Sequence, residues 1–261
     1  MIFIKEESKE KNIYDFSTKN VVYQHNTTKI IDVAKNIIKT NHRRQPIIKK
    51  NLISKNVVGI ITAMDILDAF LRGVSFDKKI EEIMIRDFIF CYKDDSVKEI
   101  IKKFQYSRRG GFPVFDKKNN LVGIITENDI ISIIDEDGLK NKIKFFMTKK
   151  PFFVKTEKII DSVKNLVNAK YRKLPIVDSN IIRGIVTDRI CLKEIIEGND
   201  LNRLNTEVCI KDIAYVEPDD DVMAAIEIME KNKIGGLPVI ENNKLVGIIT
   251  ERDIIDKIKV T

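Results

Sequence analysis

Apolar positions along this chain follow two patterns in succession, and the succession occurs four times. A short apolar strand is followed by apolar residues spaced three and four apart, which is typical of an amphipathic helix. Two short β-branched runs then flank a turn, and a Thr opens a second helix. The most complete copy, residues 234–256, reads IGGLPVIENNKLVGIITERDIID. Each copy is predicted to fold as β–α–β–β–α, which makes the chain an α/β (α+β) protein.

The four copies keep a nearly constant period. The helix-opening threonines lie 61 to 64 residues apart, and a proline that opens a strand keeps step with them. These residues are Thr62, Thr126, Thr187 and Thr250, with Pro46, Pro113, Pro175 and Pro238. Self-similarity at a fixed period indicates one repeated supersecondary unit. A unit of about 60 residues is marginal by itself, so we expect the repeats to bury apolar faces against one another.

The first strand of each repeat is predicted to be short and to carry an aromatic residue. The strands are predicted at 20–23, 88–91, 152–154 and 213–216, and the aromatics are Tyr23, Phe90, Phe153 and Tyr215. We interpret the aromatics as core residues on buried strands, with a role in walling a ligand as the secondary interpretation. Residues 1–17 are predicted to form a polar leader of uncertain order.

Composition excludes several classes of protein. The three cysteines and two histidines are scattered, so a disulfide framework and a zinc site are not expected, and the thiols suit a reducing cytoplasm. The N-terminus is too charged for a signal peptide. The sequence contains no run of about 18 apolar residues, so no membrane span is predicted. No Walker A loop, GxSxG, HExxH or Cys–His constellation points to an enzyme.

The formal charge is +7, from 46 basic and 39 acidic residues. Such a balance favours a lysine-rich solvated surface, but it also suits acidic or phosphorylated partners. Nucleic acid is the weaker option, because the sequence contains no recognised nucleic-acid-binding motif.

The Thr-x-x-Asp that opens the second helix allows two interpretations. As a capping box, the Thr satisfies a free helix N–H and the Asp reaches back to the Thr. As a ligand site, the helix N-terminus suits phosphate and the carboxylate can accept hydrogen bonds from ribose hydroxyls. The third repeat departs from the pattern, because Ile190 stands where the Asp belongs and Asp188 comes two residues too early.

The residues before the proline strand alternate in charge. Repeats one and three have Arg43-Arg44 and Arg172-Lys173, whereas repeats two and four have Gly110-Gly111 and Gly235-Gly236. Arginine binds phosphate through a fixed fork of donors, although surface solvation would also explain a basic pair. His42 adjoins Arg43, and we expect it to be an exposed loop residue rather than a phosphate ligand.

Together, the Leu-Pro-Val strand and the Gly-Ile-Ile-Thr-x-x-Asp segment resemble the cystathionine-β-synthase (CBS) domain family. Four such repeats resemble the γ regulatory subunit of AMP-activated kinase and its archaeal relatives. The resemblance implies two Bateman modules, at residues 1–135 and 136–261. The repeats within them span about 18–75, 80–135, 143–197 and 204–261.

The resemblance also implies clefts between repeats that bind AMP, ADP, ATP or S-adenosylmethionine. In the family, the Asp of one repeat shares a cleft with the residues before the strand of its module partner. That implies two clefts combining ribose and phosphate groups, one with Asp129, Thr126, Arg43 and Arg44, and one with Asp253, Thr250, Arg172 and Lys173. A third cleft would have Asp65 and Thr62 facing Gly110-Gly111, and the cleft of Ile190 would lack both groups.

The leading hypothesis is therefore a cytoplasmic regulatory protein that senses adenine nucleotides and passes the signal to an unidentified partner protein. It needs no cofactor for catalysis. An S-adenosylmethionine-binding regulator and a nucleic-acid-binding CBS protein are the alternatives. The basic pairs favour phosphate, because a sulfonium ligand gains nothing from them. The sequence leaves the oligomeric state open, including a homodimer.

Overall fold

The structure, a computed structural model, describes residues 2–50 and 56–259. Residues 51–55, inside the predicted first repeat, lie outside the described residues. Four repeats follow the predicted order of elements, each with one long helix, one antiparallel strand pair and a second helix that starts directly after the pair.

The bounds of the elements are as follows. The N-terminal segment contains α1 (Glu6–Lys9) and α2 (Ile13–Phe16). Repeat one contains β1 (Gln24–His25), α3 (Ile30–Thr40), β2 (Arg44–Ile48), β3 (Val57–Thr62) and α4 (Ala63–Leu71). Repeat two contains β4 (Cys91–Tyr92), α5 (Val97–Ser107), β5 (Gly111–Phe115), β6 (Leu121–Thr126) and α6 (Glu127–Ile131). After α7 (Glu136–Leu139) and β7 (Thr148–Lys149), repeat three contains α8 (Ile159–Ala169), β8 (Lys173–Asp178), β9 (Ile181–Thr187) and α9 (Asp188–Ile196). Repeat four contains α10 (Val222–Asn232), β10 (Gly236–Glu241), β11 (Lys244–Thr250) and α11 (Glu251–Ile255). Single 3₁₀ turns lie at Ile80–Glu82, Ile143–Phe145 and Asn205–Glu207.

In every repeat the antiparallel strand pair fixes one register. The residue just before the Leu-Pro-Val position, or its equivalent, lies opposite the helix-opening Thr. The pairs are Arg44 with Thr62, Gly111 with Thr126, Lys173 with Thr187 and Gly236 with Thr250. The residues before each proline strand therefore lie beside the N-terminus of the second helix of their own repeat.

The first strands are shorter and begin later than predicted. β1 and β4 pair in parallel with β2 and β5 over two residues each. In repeats three and four only single bridges form, from Val154 to Ile176 and from Val216 to Val239. In repeat one the paired residues come just after the predicted strand, and in the other three repeats the pairing involves only its last residue, Cys91, Val154 or Val216.

This short pairing also overturns the prediction that the strand aromatics are core residues. The exposed fractions of Phe90, Phe153 and Tyr215 are 40%, 44% and 50%. In these three repeats the next residue points inward instead, since Cys91 is 0%, Val154 is 4% and Val216 is 2% exposed. Successive strand residues face opposite sides, so a buried residue places the aromatic before it on the outer face.

The described chain divides into two compact units, and each unit is discontinuous in sequence. Unit 1 comprises Met1–Val21, Ile89–Pro151 and Ala214–Thr261, and unit 2 comprises Val22–Phe88 and Phe152–Ile213. Unit 1 therefore contains repeats two and four, and unit 2 contains repeats one and three. This grouping differs from the predicted Bateman modules, whose boundaries stay a prediction.

The N-terminal segment belongs to the core of unit 1, so the expectation of a polar leader was wrong. Ile2 and Ile13 are fully buried, and Ile4 is 8% exposed. They pack in one cluster with apolar residues of repeats two and four, including Phe104 and Leu237. Isolated isoleucines among charged residues give little periodic signal, which is why the sequence pattern did not reveal their burial.

The segment at the start of each repeat, which we call its leading segment, pairs with a strand of another repeat. That strand is the second one of the antiparallel pair. Ile85, ahead of repeat two, bridges to Ile60 of repeat one, and Thr18, ahead of repeat one, bridges to Ile124 of repeat two. Repeats three and four make the same exchange, through Ile210 with Ile185 and through β7 with β11. The glycine of the Gly-Ile-Ile-Thr segment makes room for the incoming segment. A Cβ on Gly184, for example, would lie 2.2 Å from the Cys209 Sγ atom.

Candidate functional site

Three of the four second helices begin with a capping box, as predicted. In repeat two the Thr126 N–H and hydroxyl donate to Oδ2 of Asp129 at 2.7 and 2.6 Å. Thr62 with Asp65 and Thr250 with Asp253 form the same arrangement. The Asp side chains are thereby held at the helix N-termini, where the free N–H groups and the helix dipole favour an anion.

The carboxylate of Asp129 is held in a partly buried position. Burial raises its pKa, and the hydrogen bonds from Thr126 oppose that rise. Both hydrogen bonds from Thr126 end on Oδ2 of Asp129, so Oδ1 takes no part in them. A carboxylate held in this way is able to accept hydrogen bonds from a ligand hydroxyl.

Asp253 has an additional partner that the sequence pattern did not reveal. The hydroxyl of Thr148 donates to Oδ1 of Asp253 at 2.9 Å, while Oδ2 accepts from Thr250 at 2.5 Å. Thr148 lies in β7, which pairs with β11, so the leading segment of repeat three positions the acidic residue of repeat four. The two residues are 105 positions apart, and only the exchanged segment brings them together.

The third repeat lacks the acidic group at this position, as the sequence indicated. The Thr187 hydroxyl accepts from the Ile190 N–H at 3.2 Å, so the helix is capped without a reciprocal carboxylate. Asp188 instead occupies the first turn, where it is 4% exposed. Its N–H donates to the Arg172 carbonyl at 3.0 Å, and its Oδ1 accepts from the Arg189 N–H at 2.8 Å.

Basic residues from two repeats of unit 2 interact electrostatically with the carboxylate of Asp188. Burial raises the pKa of Asp188, and the guanidiniums of Arg43, Arg172 and Arg189 act against that rise. Arg189 also donates to the Asn41 carbonyl at 3.5 Å, which joins α9 to the segment just before Arg43. We call Asp188 with Arg43, Arg172 and Arg189 the unit 2 basic cluster. The sequence predicts Arg43 and Arg172 in separate clefts, and that assignment stays a prediction; in the structure both guanidiniums act on the pKa of the same carboxylate.

Around this cluster lie the remaining residues of the predicted basic pairs. Arg44 and Lys173 sit opposite Thr62 and Thr187 and are partly exposed. His42 is exposed, in line with the expectation of a loop residue.

The residues of unit 1 equivalent to Asp188 are also acidic, namely Glu127 and Glu251, and Arg252 is equivalent to Arg189. The Arg252 guanidinium forms an ion pair with Glu127 at 2.6 Å, and the Glu127 side chain is only 4% exposed. The same guanidinium donates to the Arg109 carbonyl at 2.9 Å and to the Phe104 carbonyl. Glu251 packs where a side chain on Gly235 would stand, since a Cβ there would lie 2.7 Å from Glu251 Oε2. Two glutamates and one arginine thus open the second helices of unit 1.

The predicted acidic and basic groups therefore belong to different units. Asp129 and Asp253 are in unit 1, whereas Arg43-Arg44 and Arg172-Lys173 are in unit 2. Their predicted pairing across repeats stays a prediction. The sequence pattern missed Asp188, Glu127, Arg252 and Thr148, because each acquires its partner from a distant repeat or leading segment.

Several other kinds of chemistry find no support among the described residues. Within residues 2–50 and 56–259, no group of three or more His, Cys, Asp and Glu could hold a metal ion. Burial raises the pKa of the Cys91 and Cys191 thiols to about 12, so neither is a thiolate at neutral pH. In the same part of the chain, no helix is both long and apolar enough to cross a membrane.

Comparison with known proteins covers almost the whole chain. The sequence model of the CBS domain matches residues 13–72, 80–136, 142–197 and 206–260. The chain is 28% identical to protein MJ1225 of Methanocaldococcus jannaschii, over 91% of this chain and 95% of that protein. It is 25% identical to a protein encoded in a ribosomal RNA operon of Thermofilum pendens, over 89% of this chain and 86% of that protein.

A solved structure and one enzyme complete the comparison. The crystal structure of MJ1225, described as a proposed archaeal homologue of γ-AMPK, matches with a TM-score of 0.84 and 25% identity, covering 94% of this chain and 98% of that one. Inosine-5′-monophosphate dehydrogenase of the same organism is 36% identical over 52% of this chain but only 27% of the enzyme. The shared part is thus a fraction of that enzyme, whereas MJ1225 matches along nearly its full length.

Proposed function

The chain belongs to the CBS domain family, and from that premise we propose that it is a regulatory protein that binds adenine nucleotides. The observation that carries the proposal is the unit 2 basic cluster, where guanidiniums from repeats one and three converge. Arginine forks are suited to phosphate oxygens, and charged hydrogen bonds to phosphate are among the stronger polar contacts in proteins.

We assign the ribose to the capping-box carboxylates. Asp129 and Asp253 are fixed by Thr126 and Thr250, so little side-chain entropy is lost when a ligand hydroxyl donates to them. Asp65 with Thr62 has the same geometry and is proposed as a third ribose position. The resemblance to MJ1225 supports this choice of ligand class, since that protein is described as a γ-AMPK homologue.

We further propose that repeats one and two, and repeats three and four, form two Bateman modules, in which Asp129 and Asp253 bind ribose and the basic pairs Arg43-Arg44 and Arg172-Lys173 bind phosphate. The exchange of leading segments within those two pairs of repeats supports this assignment. Binding is proposed to be passed on to a partner protein, because the chain consists of CBS repeats and MJ1225 matches them along its length.

Calorimetry with AMP, ADP, ATP and S-adenosylmethionine tests the proposal. We expect the nucleotides to bind and Arg172→Ala and Asp253→Ala each to weaken AMP binding about tenfold or more, because a charged hydrogen bond contributes roughly 1.5–3 kcal/mol. Ile190→Ala, at the equivalent helix position of repeat three, is the matched control and should leave the affinity nearly unchanged.

The competing result would favour a different regulator. Binding of S-adenosylmethionine, with no heat from any nucleotide, would transfer the assignment to a sulfonium ligand and remove the proposed role of the basic pairs.

A further inference from the structure

A negative charge lies inside the surface that is proposed to bind phosphate. Asp188 opens α9 and is almost completely buried, with 4% of its surface exposed. Repeats two and four have Glu127 and Glu251 at the equivalent position, but repeat one has Ala63, so within unit 2 only repeat three has a carboxylate there. Helix capping does not require it, because Thr187 already accepts from the N–H of Ile190.

Asp188 is tied to the basic segments of both repeats. On the side of repeat three, its N–H bonds to the Arg172 carbonyl at 3.0 Å. On the side of repeat one, Arg189 donates to the Asn41 carbonyl at 3.5 Å, and the Arg43 guanidinium interacts electrostatically with the Asp188 carboxylate. The charge of Asp188 therefore acts on Arg43 and Arg172 together.

Such a charge affects anionic ligands in proportion to their own charge. A monophosphate carries about −1.5 to −2 at pH 7, and a triphosphate carries more. Repulsion from a fixed carboxylate grows with ligand charge, and it is screened less by salt when the carboxylate is buried. A carboxylate at this place lowers the affinity for a triphosphate more than the affinity for a monophosphate.

We infer that Asp188 is a specificity-determining residue, which biases the unit 2 basic cluster towards nucleoside monophosphates and against triphosphates. This inference rests on the proposed function, since it concerns the phosphate end of the same ligand. Neither the Thr-x-x-Asp pattern nor the alternation of basic pairs contains it, because Asp188 belongs to neither.

The test is the ratio of the dissociation constants for AMP and ATP, measured by calorimetry on the full chain without magnesium. Asp188→Asn keeps the shape and an oxygen acceptor for the Arg189 N–H while removing the charge. We expect the variant to shift the ratio towards ATP by about fivefold or more, from the Coulomb energy of the additional ligand charges in a partly screened environment.

Glu194→Gln is the matched control. Glu194 lies on the same helix, is 8% exposed and pairs with Arg203 instead of the cluster. The substitution removes the same charge from a buried site of α9, so a general effect of charge or stability would appear in both variants. We expect the AMP-to-ATP ratio of this control to stay within about twofold of the parent ratio, since Glu194 lies outside the cluster.

Arg189→Gln provides a second measurement in case Asp188→Asn does not fold, as judged by its melting curve. Removing this positive charge should shift the ratio in the opposite direction, towards AMP.

A parent protein that binds no adenine nucleotide would overturn both the proposed function and this inference. A parent that binds nucleotides, with a ratio that Asp188→Asn leaves unchanged or moves towards AMP, would overturn the inference alone. If Asp188→Asn does not fold, an AMP-to-ATP ratio that Arg189→Gln leaves unchanged or moves towards ATP would also overturn the inference alone.

Discussion

At the residue scale, Arg252 links repeats two and four inside unit 1. Its guanidinium pairs with the nearly buried Glu127 at 2.6 Å and donates to two carbonyls at the end of α5. Positive charge at a helix C-terminus also complements the helix dipole. The pair therefore joins two helix ends in a place where solvent screening is weak.

Arg252→Leu tests that role. The variant would leave the buried Glu127 without its guanidinium, so we expect a loss of about 3 kcal/mol in the free energy of unfolding, measured by urea denaturation. Arg72→Leu is the control, because the Arg72–Asp68 pair is exposed on both sides and should cost less than about 1 kcal/mol. Equal losses of unfolding free energy in the two variants would show that the buried Arg252–Glu127 pair stabilises the protein no more than an exposed pair.

At the level of single residues, the sequence predicts contacts between residues that are close along the chain. Thr126 and Asp129 are three positions apart, so their capping box could be read directly from the spacing. Arg43 and Asp188 come from different repeats, and nothing in the local pattern indicates that they meet. The aromatic Phe90 was misplaced for a different reason, because alternation along a strand predicts two faces without saying which one is buried.

At the scale of elements, the leading segments determine how each strand pair is completed. Cys209 lies against Gly184, and Ile210 bridges to Ile185 beside it. A side chain at position 184 would overlap the thiol, so the strand pair and the segment must fit at atomic distance.

Gly184→Ala is expected to destabilise the protein by about 1–3 kcal/mol, the typical cost of overpacking. Cys209→Ala removes the nearest atom, and the double variant should recover part of the loss because the 2.2 Å overlap with Sγ is gone. Thermal melting of the four proteins measures the coupling. Strictly additive effects would contradict the proposed overlap.

The N-terminal segment offers a second test at this scale. Ile13 begins α2 and is fully buried in unit 1. Ile13→Ala should lower the free energy of unfolding by about 3 kcal/mol, as for other buried Ile to Ala changes. Glu10→Ala, at an exposed position of the same segment, should change it by less than about 0.5 kcal/mol. An Ile13 variant as stable as the control would indicate that the segment does not belong to the core.

At the scale of the whole molecule, the repeat pattern predicted the order of elements and the threonine at which each second helix begins, but not the grouping of the repeats. The two compact units arise because the second helices of repeats one and three, α4 and α9, pack together, as do α6 and α11 of repeats two and four. A period in the sequence identifies the repeated unit and says little about which copies pack together.

Ligand binding should be visible as a change in overall stability. A ligand that binds only the folded protein, at 100 times its dissociation constant, adds about 2.7 kcal/mol to the free energy of unfolding. We therefore expect adenine nucleotides to raise the melting temperature, and guanosine triphosphate provides a comparison with equal phosphate charge. Melting curves that no nucleotide moves would count against the regulatory assignment.

Crystallisation with AMP tests the central claim most directly. The account predicts nucleotide with its ribose hydroxyls within hydrogen-bonding distance of Asp129 and Asp253, and with its phosphate on the basic pairs that contain Arg43 and Arg172. Nucleotide bound beside Ile190 and Gly235, with Asp129 and Asp253 not contacting it, would contradict the account.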